Sequence, residues 1–112
     1  MNERTRKHLR DALNEAETLS SDLEEVELGE FLDSFQLQRY TERSLEIVGG
    51  YLRRSYRDTP EPGESNPSHA EWVQLGSFIL YQYDELDPSV VWKAATAELP
   101  GLIIGLETIL DL

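Results

Sequence analysis

The sequence predicts an all-α protein, an up-and-down bundle of four main helices whose last helix is kinked at Pro100. Apolar residues recur at spacings of three and four along most of the chain, and no stretch shows the alternation typical of a strand. The chain has 112 residues, 39% of them hydrophobic, and no cysteine. These values predict a single domain over residues 1–112 with one core and no disulfide framework.

The charge is large, negative and uneven. The net charge is −12, and residues 11–34 hold nine acidic residues and no base. Basic residues cluster at positions 4–10 and 39–57. Nucleic acid is repelled by such a chain at long range, so RNA contact is expected only at these clusters. No run approaches the length of a membrane span, which predicts a soluble, cytoplasmic chain with no membrane partner.

The first helix is predicted over residues 3–19, ending at the serines at positions 20 and 21. Its core stripe consists of Leu9, Ala12, Leu13, Ala16 and Leu19. A short apolar patch follows at residues 28–32 and predicts a turn or a one-turn helix.

The second helix is predicted from a cap at Asp33 or Ser34 to about Tyr56. Gly49 and Gly50 in its middle predict a close approach of another helix. Its inward residues are Leu37, Tyr40, Leu45, Ile47, Val48, Tyr51 and Leu52. The opposite face carries Arg39, Arg43, Glu46, Gly50, Arg53, Arg54 and Arg57.

The arginine face has two interpretations. In the first, which we favour, it is a solvated surface that pairs with the acidic residues 11–34. Alternatively, it binds phosphate, and the candidate ligands are then Arg39, Arg43, Arg54 and Arg57.

Residues 58–67 hold three prolines and a glycine and predict a mobile loop. Ser68 and Glu71 match a capping box, which predicts that the third helix opens at His69 and continues to a break near Leu86. Asp87 as cap and a proline at the next position open the fourth helix.

The third helix has an unusual far side. Its predicted core stripe is formed by Trp72, Leu75, Gly76, Ile79, Tyr83 and Leu86. Opposite this stripe stand Phe78 and Tyr81, where polar residues are expected on a solvated helix. Either this side is a surface for a partner, or the helix is buried centrally in its own bundle.

No catalytic arrangement is evident from residue types and spacing. His8 and His69 are far apart and expected to be solvent-exposed, and no set of carboxylates and histidines has metal-ligand spacing. No glycine-rich phosphate loop and no nucleophile with an adjacent base is present. No metal or cofactor is therefore expected.

Three segments together resemble the HepT-like branch of the HEPN superfamily. They are Glu-Arg-Ser-Leu-Glu-Ile-Val-Gly at residues 42–49, residues 75–92, and Glu-Leu-Pro-Gly-Leu at residues 98–102. The resemblance implies a helical bundle that dimerises, a ribonuclease ancestry, and a minimal nucleotidyltransferase as the partner in a toxin–antitoxin pair.

The catalytic motif of that family is degenerate here. Its arginine, asparagine, histidine and tyrosine positions correspond to Gly76, Ser77, Tyr81 and Tyr83. A glycine offers no charge, and a tyrosine is almost wholly protonated at neutral pH and is a poor base. The resemblance also makes Tyr83 a candidate acceptor of AMP, whereas its stripe position favours a core tyrosine.

The sequence therefore predicts a dimeric protein-binding domain, with Phe78 and Tyr81 at the interface and with ribonuclease activity weakened or lost. The alternative is an active, metal-independent RNA endonuclease that uses residues outside the motif.

Overall fold

The chain folds into an all-α bundle, as the sequence predicts, in a computed structural model. The structure describes residues 1–57 and 67–112, apart from the side chains of Pro67 and Tyr83. The helices are α1 (Glu3–Leu23), α2 (Leu28–Leu32), α3 (Phe35–Arg57), α4 (Pro67–Tyr81), α5 (Pro88–Lys93) and α6 (Leu99–Leu110). The predicted loop at residues 58–67 lies outside the described residues, except that Pro67 begins α4.

The packing order across the bundle is α4, α3, α1, α6, because α3 contacts both α4 and α1, and α6 returns to α1. One continuous apolar core joins these helices through buried residues such as Leu13, Leu45, Leu52, Leu99 and Leu106. The short α2 closes one end, where Phe31 is fully buried against Trp92 with a ring-centroid distance of 5.1 Å. This confirms the predicted one-turn helix.

The first helix is longer than predicted. It continues through Ser20 and Ser21 to Leu23, which is buried and extends the stripe by one turn beyond Leu19. Burial of Leu23 offsets the weak helix propensity of the two serines, so the predicted end at Leu19 was wrong.

The α3 helix begins as predicted, since the Leu37 backbone N–H donates to the Ser34 hydroxyl at 3.1 Å. The inward assignment was wrong for Tyr40, which is 44% exposed and donates a hydrogen bond to Asp22 on α1. This hydrogen bond raises the pKa of Tyr40, with burial as the second cause. Tyr40 thus links two helices at their surface.

The α4 helix starts earlier and ends earlier than predicted. Pro67 precedes the predicted start, since proline at the first helical turn needs no N–H partner. The helix ends at Tyr81, and a 3-10 turn follows at Tyr83–Glu85. Acidic residues crowd this C-terminal end, where they oppose the helix dipole. Tyr83 and Leu86 therefore do not continue the helical stripe.

The fourth predicted helix is one continuous helical run, Pro88–Leu110. It contains a π-helical turn at Ala94–Glu98, which ends two residues before Pro100. Asp87 caps it as predicted, since its carboxylate accepts from the Ser89 N–H at 2.9 Å. The wider turn accommodates the proline, which lacks an N–H and crowds the preceding turn. The predicted kink site is thus a π-helical turn.

Candidate functional site

The α3 and α4 helices touch backbone to backbone at two glycines. A Cβ atom built on Gly49 would lie 2.8 Å from the Trp72 carbonyl oxygen and 3.3 Å from the Gly76 Cα. A Cβ on Gly76 would lie 3.3 Å from the Gly49 Cα. The predicted close approach is therefore confirmed at Gly49. It does not involve Gly50, which has no atom within 4 Å of an added Cβ.

Beside this crossing, the two helices enclose a groove of about 350 Å³, which we call the α3/α4 groove. The arginines Arg43, Arg53 and Arg54 line it together with Glu46. Its apolar and aromatic lining is formed by Ile47, Tyr51, Val73, Leu80 and Tyr81. The groove therefore combines a cationic rim from α3 with apolar side chains from both helices.

The groove brings together several residues that the sequence singled out separately. Gly76, Ser77 and Tyr81, three positions of the degenerate motif, line it. So do Arg43 and Arg54, two of the four candidate phosphate ligands, whereas Arg39 and Arg57 lie elsewhere on α3. Tyr83 follows in the 3-10 turn, and its side chain lies outside the described residues.

Gly76 has a structural role that its motif position did not suggest. It is buried at the helix crossing, and an added Cβ would press on the Gly49 backbone. A side chain at position 76 would require the α3 backbone to shift by a few tenths of an ångström. The packing of the crossing thus favours glycine here, which is a reason for its presence that does not depend on catalysis.

Two of the arginines at the groove are held by neighbours on α3. The Arg43 guanidinium donates to Glu46 at 2.9 Å, and the Arg54 guanidinium lies 5.5 Å from the centre of the Tyr51 ring. Among the described residues, Arg43–Glu46 is the ion pair seen on the arginine face, and no pair with residues 11–34 is seen. The face is solvated as predicted, but its predicted pairing with the acidic segment is wrong.

The outer side of α4 is apolar and open to solvent. Phe78 is 40% exposed, Leu80 50% and Tyr81 77%. No charged residue occurs from Trp72 to Tyr83. Because these side chains protrude from the bundle, α4 is not buried centrally in its own chain. We call the surface formed by Phe78, Leu80 and Tyr81 the α4 face.

A second groove, of about 650 Å³, separates α4 from the Pro88–Leu110 run. Trp72, Leu75, Leu102 and the half-exposed Val90 give it an apolar lining. Exposed apolar side chains occur around this groove and α4, at Phe78, Leu80, Tyr81 and Val90, and also elsewhere, at Leu28, Leu32, Phe35 and Ile104.

The histidines do not lie where the sequence placed them. His69 is only 3% exposed and stacks on Tyr56 with ring centroids 6.0 Å apart, and His8 is half-buried on α1. Burial lowers the pKa of His69. Neither histidine lines the α3/α4 groove. Within the described ranges, no cluster of three or more potential metal ligands occurs.

Sequence reasoning missed part of the groove. Leu80, Val73 and Arg53 line it, yet none was singled out as a site residue. The signal was available for Leu80, which follows the crossing glycine by one helical turn and so lies beside it. The same spacing holds for Val73, three residues before Gly76, and for Arg53, four residues after Gly49.

Comparison of the chain with protein-family models, with curated proteins and with solved structures finds no match. One described helical run, Pro88–Leu110, is long and apolar enough by length and composition to cross a membrane, contrary to the expectation from sequence. In the fold, α6 packs on α1 and buries Leu99, Leu102, Leu106 and Leu110 in the core, whereas its other side, with Ile104, is exposed.

Proposed function

We propose that this protein is a dimeric protein-binding domain that self-associates through the α4 face. The observation that carries the proposal is the exposed, uncharged surface of Phe78, Leu80 and Tyr81 on a chain of net charge −12. Two copies of so acidic a chain repel each other at long range, and a contact free of acidic residues avoids adding short-range repulsion between like charges. The α4 face meets this condition, and exposed apolar patches of this kind mark interaction sites.

The resemblance to HepT-like proteins extends the proposal to the partner. In this reading the domain docks a minimal nucleotidyltransferase and has lost ribonuclease activity. Support comes from the α3/α4 groove, which contains neither a histidine nor an arginine at position 76. Tyr83 is the proposed AMP acceptor, placed in a 3-10 turn just beyond α4.

Sedimentation velocity on the full chain tests the dimer. We expect the wild type to sediment as a dimer at micromolar concentration and Phe78→Glu as a monomer. Phe35→Glu is the matched control, because Phe35 is also exposed and the charge change is the same, but it lies at the start of α3. A wild-type monomer, or equal dissociation in both variants, would contradict the dimer surface.

Two further assays test the chemistry. Incubation with a minimal nucleotidyltransferase and Mg-ATP should add the mass of one AMP, and Tyr83→Phe should abolish the addition. Purified protein in EDTA should leave RNA intact. Cleavage that is lost in Arg43→Ala would instead establish the alternative, a metal-independent endonuclease that uses residues outside the motif.

A further inference from the structure

We propose that the α3/α4 groove binds an acidic amphipathic helix of a partner protein. The proposal goes beyond self-association, because the groove is formed together with α3. It shares Leu80 and Tyr81 with the α4 face, whereas Phe78 does not line it, so the bound helix and the second copy compete for part of the same surface.

The charge of the groove selects an acidic occupant. Three arginines and one glutamate, all on α3, line one side of the groove, and Arg43 pairs with Glu46, which leaves a net positive rim on a chain that is acidic as a whole. At physiological ionic strength, charges beyond about 8 Å are screened, so the local rim outweighs the distant negative charge. Arg53 and Arg54 are exposed and form no ion pair with the described residues, and guanidinium groups bind carboxylates in a bidentate manner.

The apolar lining selects a peptide over a nucleic acid. Leu80 is half exposed, and Ile47 and Val73 line the groove with it. A phosphate backbone would leave these aliphatic side chains uncovered. An amphipathic helix would bury them with its apolar stripe and place its acidic flank against the arginines, as in other helix-in-groove complexes.

The geometry of the groove is already fixed before a ligand binds. The two helices are held at the Gly49–Gly76 contact, and Tyr51 supports the Arg54 guanidinium from below. Because the backbone contact sets the spacing of the two helices in the free chain, binding does not have to bring them together.

Fluorescence anisotropy with the full chain tests the proposal. The probe is a labelled helical peptide of about 15 residues, roughly four turns, with leucine on one face and glutamate on the other. We expect saturable binding that weakens as salt rises, and no binding of the same peptide with lysine in place of glutamate. Phe78→Glu should still bind, which separates this result from failure of the proposed dimer.

Matched variants locate the site. Arg53→Ser with Arg54→Ser should weaken binding about tenfold, the size expected for loss of two exposed charge pairs, and Leu80→Glu should abolish it. Arg4→Ser with Arg10→Ser changes the charge equally on α1 and should leave the affinity unchanged. Thermal melts followed by circular dichroism establish that each variant is folded.

Three results would overturn the proposal. The first is equal affinity for the acidic and basic peptides. The second is equal weakening by the two arginine pairs. The third is tighter, Arg53-dependent binding of a single-stranded RNA of the same length, which would assign the groove to nucleic acid.

Discussion

His69 shows how a single residue can depend on two helices at once. It lies on the first turn of α4, and its ring stacks on Tyr56 near the end of α3. It lies three residues before Trp72, so helical spacing places it on the buried stripe of α4, although its position at a helix start led to the expectation of exposure. The burial arises because the α3–α4 contact covers it, and the same burial disfavours the protonated imidazolium.

This environment predicts a pH dependence of stability. The pKa of His69 is lower in the folded chain than in the unfolded chain. As pH falls below about 6.5, the unfolded state binds the proton first, so the free energy of unfolding decreases. Urea unfolding at about pH 7.5 and about pH 5.5 should show that the free energy of unfolding decreases less between these pH values in His69→Phe than in wild type. An identical decrease in the two proteins would show that His69 does not contribute to the pH dependence of stability.

At the scale of elements, the α3–α4 crossing fixes the groove and the orientation of the α4 face. Sequence spacing identified the glycine pair at positions 49 and 50 as a point of close approach. It could not tell which glycine made the contact, nor that Gly76 was the partner. That distinction depends on the rotation of each helix about its axis, and only packing sets this rotation.

The crossing predicts opposite effects for neighbouring substitutions. Gly49→Ala forces a methyl group against the Trp72 carbonyl oxygen and should lower the free energy of unfolding by about 1–3 kcal/mol. Gly50→Ala meets open space and should raise it by roughly 0.5–1 kcal/mol, the usual gain in a helix. Chemical denaturation measures both. If both substitutions changed the free energy of unfolding in the same direction, the close approach of α3 and α4 at Gly49 would be contradicted.

At the scale of the whole molecule, the dominant quantity is charge. The net charge of −12 makes the folded chain repel itself, and the acidic residues of α1 and the following turn concentrate this repulsion. Among the described residues, Asp11 pairs with Lys7, but no arginine of α3 forms an ion pair with residues 11–34, so most of this charge is not neutralised by a direct pair.

The unneutralised charge predicts that salt stabilises the fold. Raising NaCl from about 0.05 M to about 0.5 M shortens the screening length severalfold and should raise the melting temperature. The increase should be smaller in the triple variant Glu17→Gln, Glu24→Gln, Glu25→Gln, whose side chains are all exposed. An equal increase in both proteins would assign the effect to salting-out instead of screening.

The sequence by itself determined the all-α class, the cap at Asp87, most of the core stripes and the place of the irregular turn before Pro100. Each of these depends on spacing or on a backbone property of one residue, and both are local. Only the tertiary structure decided that the arginine face and the degenerate motif positions share one groove, and that Gly76 packs against Gly49 at the helix crossing. These features require two helices to be set against each other, and sequence periodicity contains no information on that relative placement.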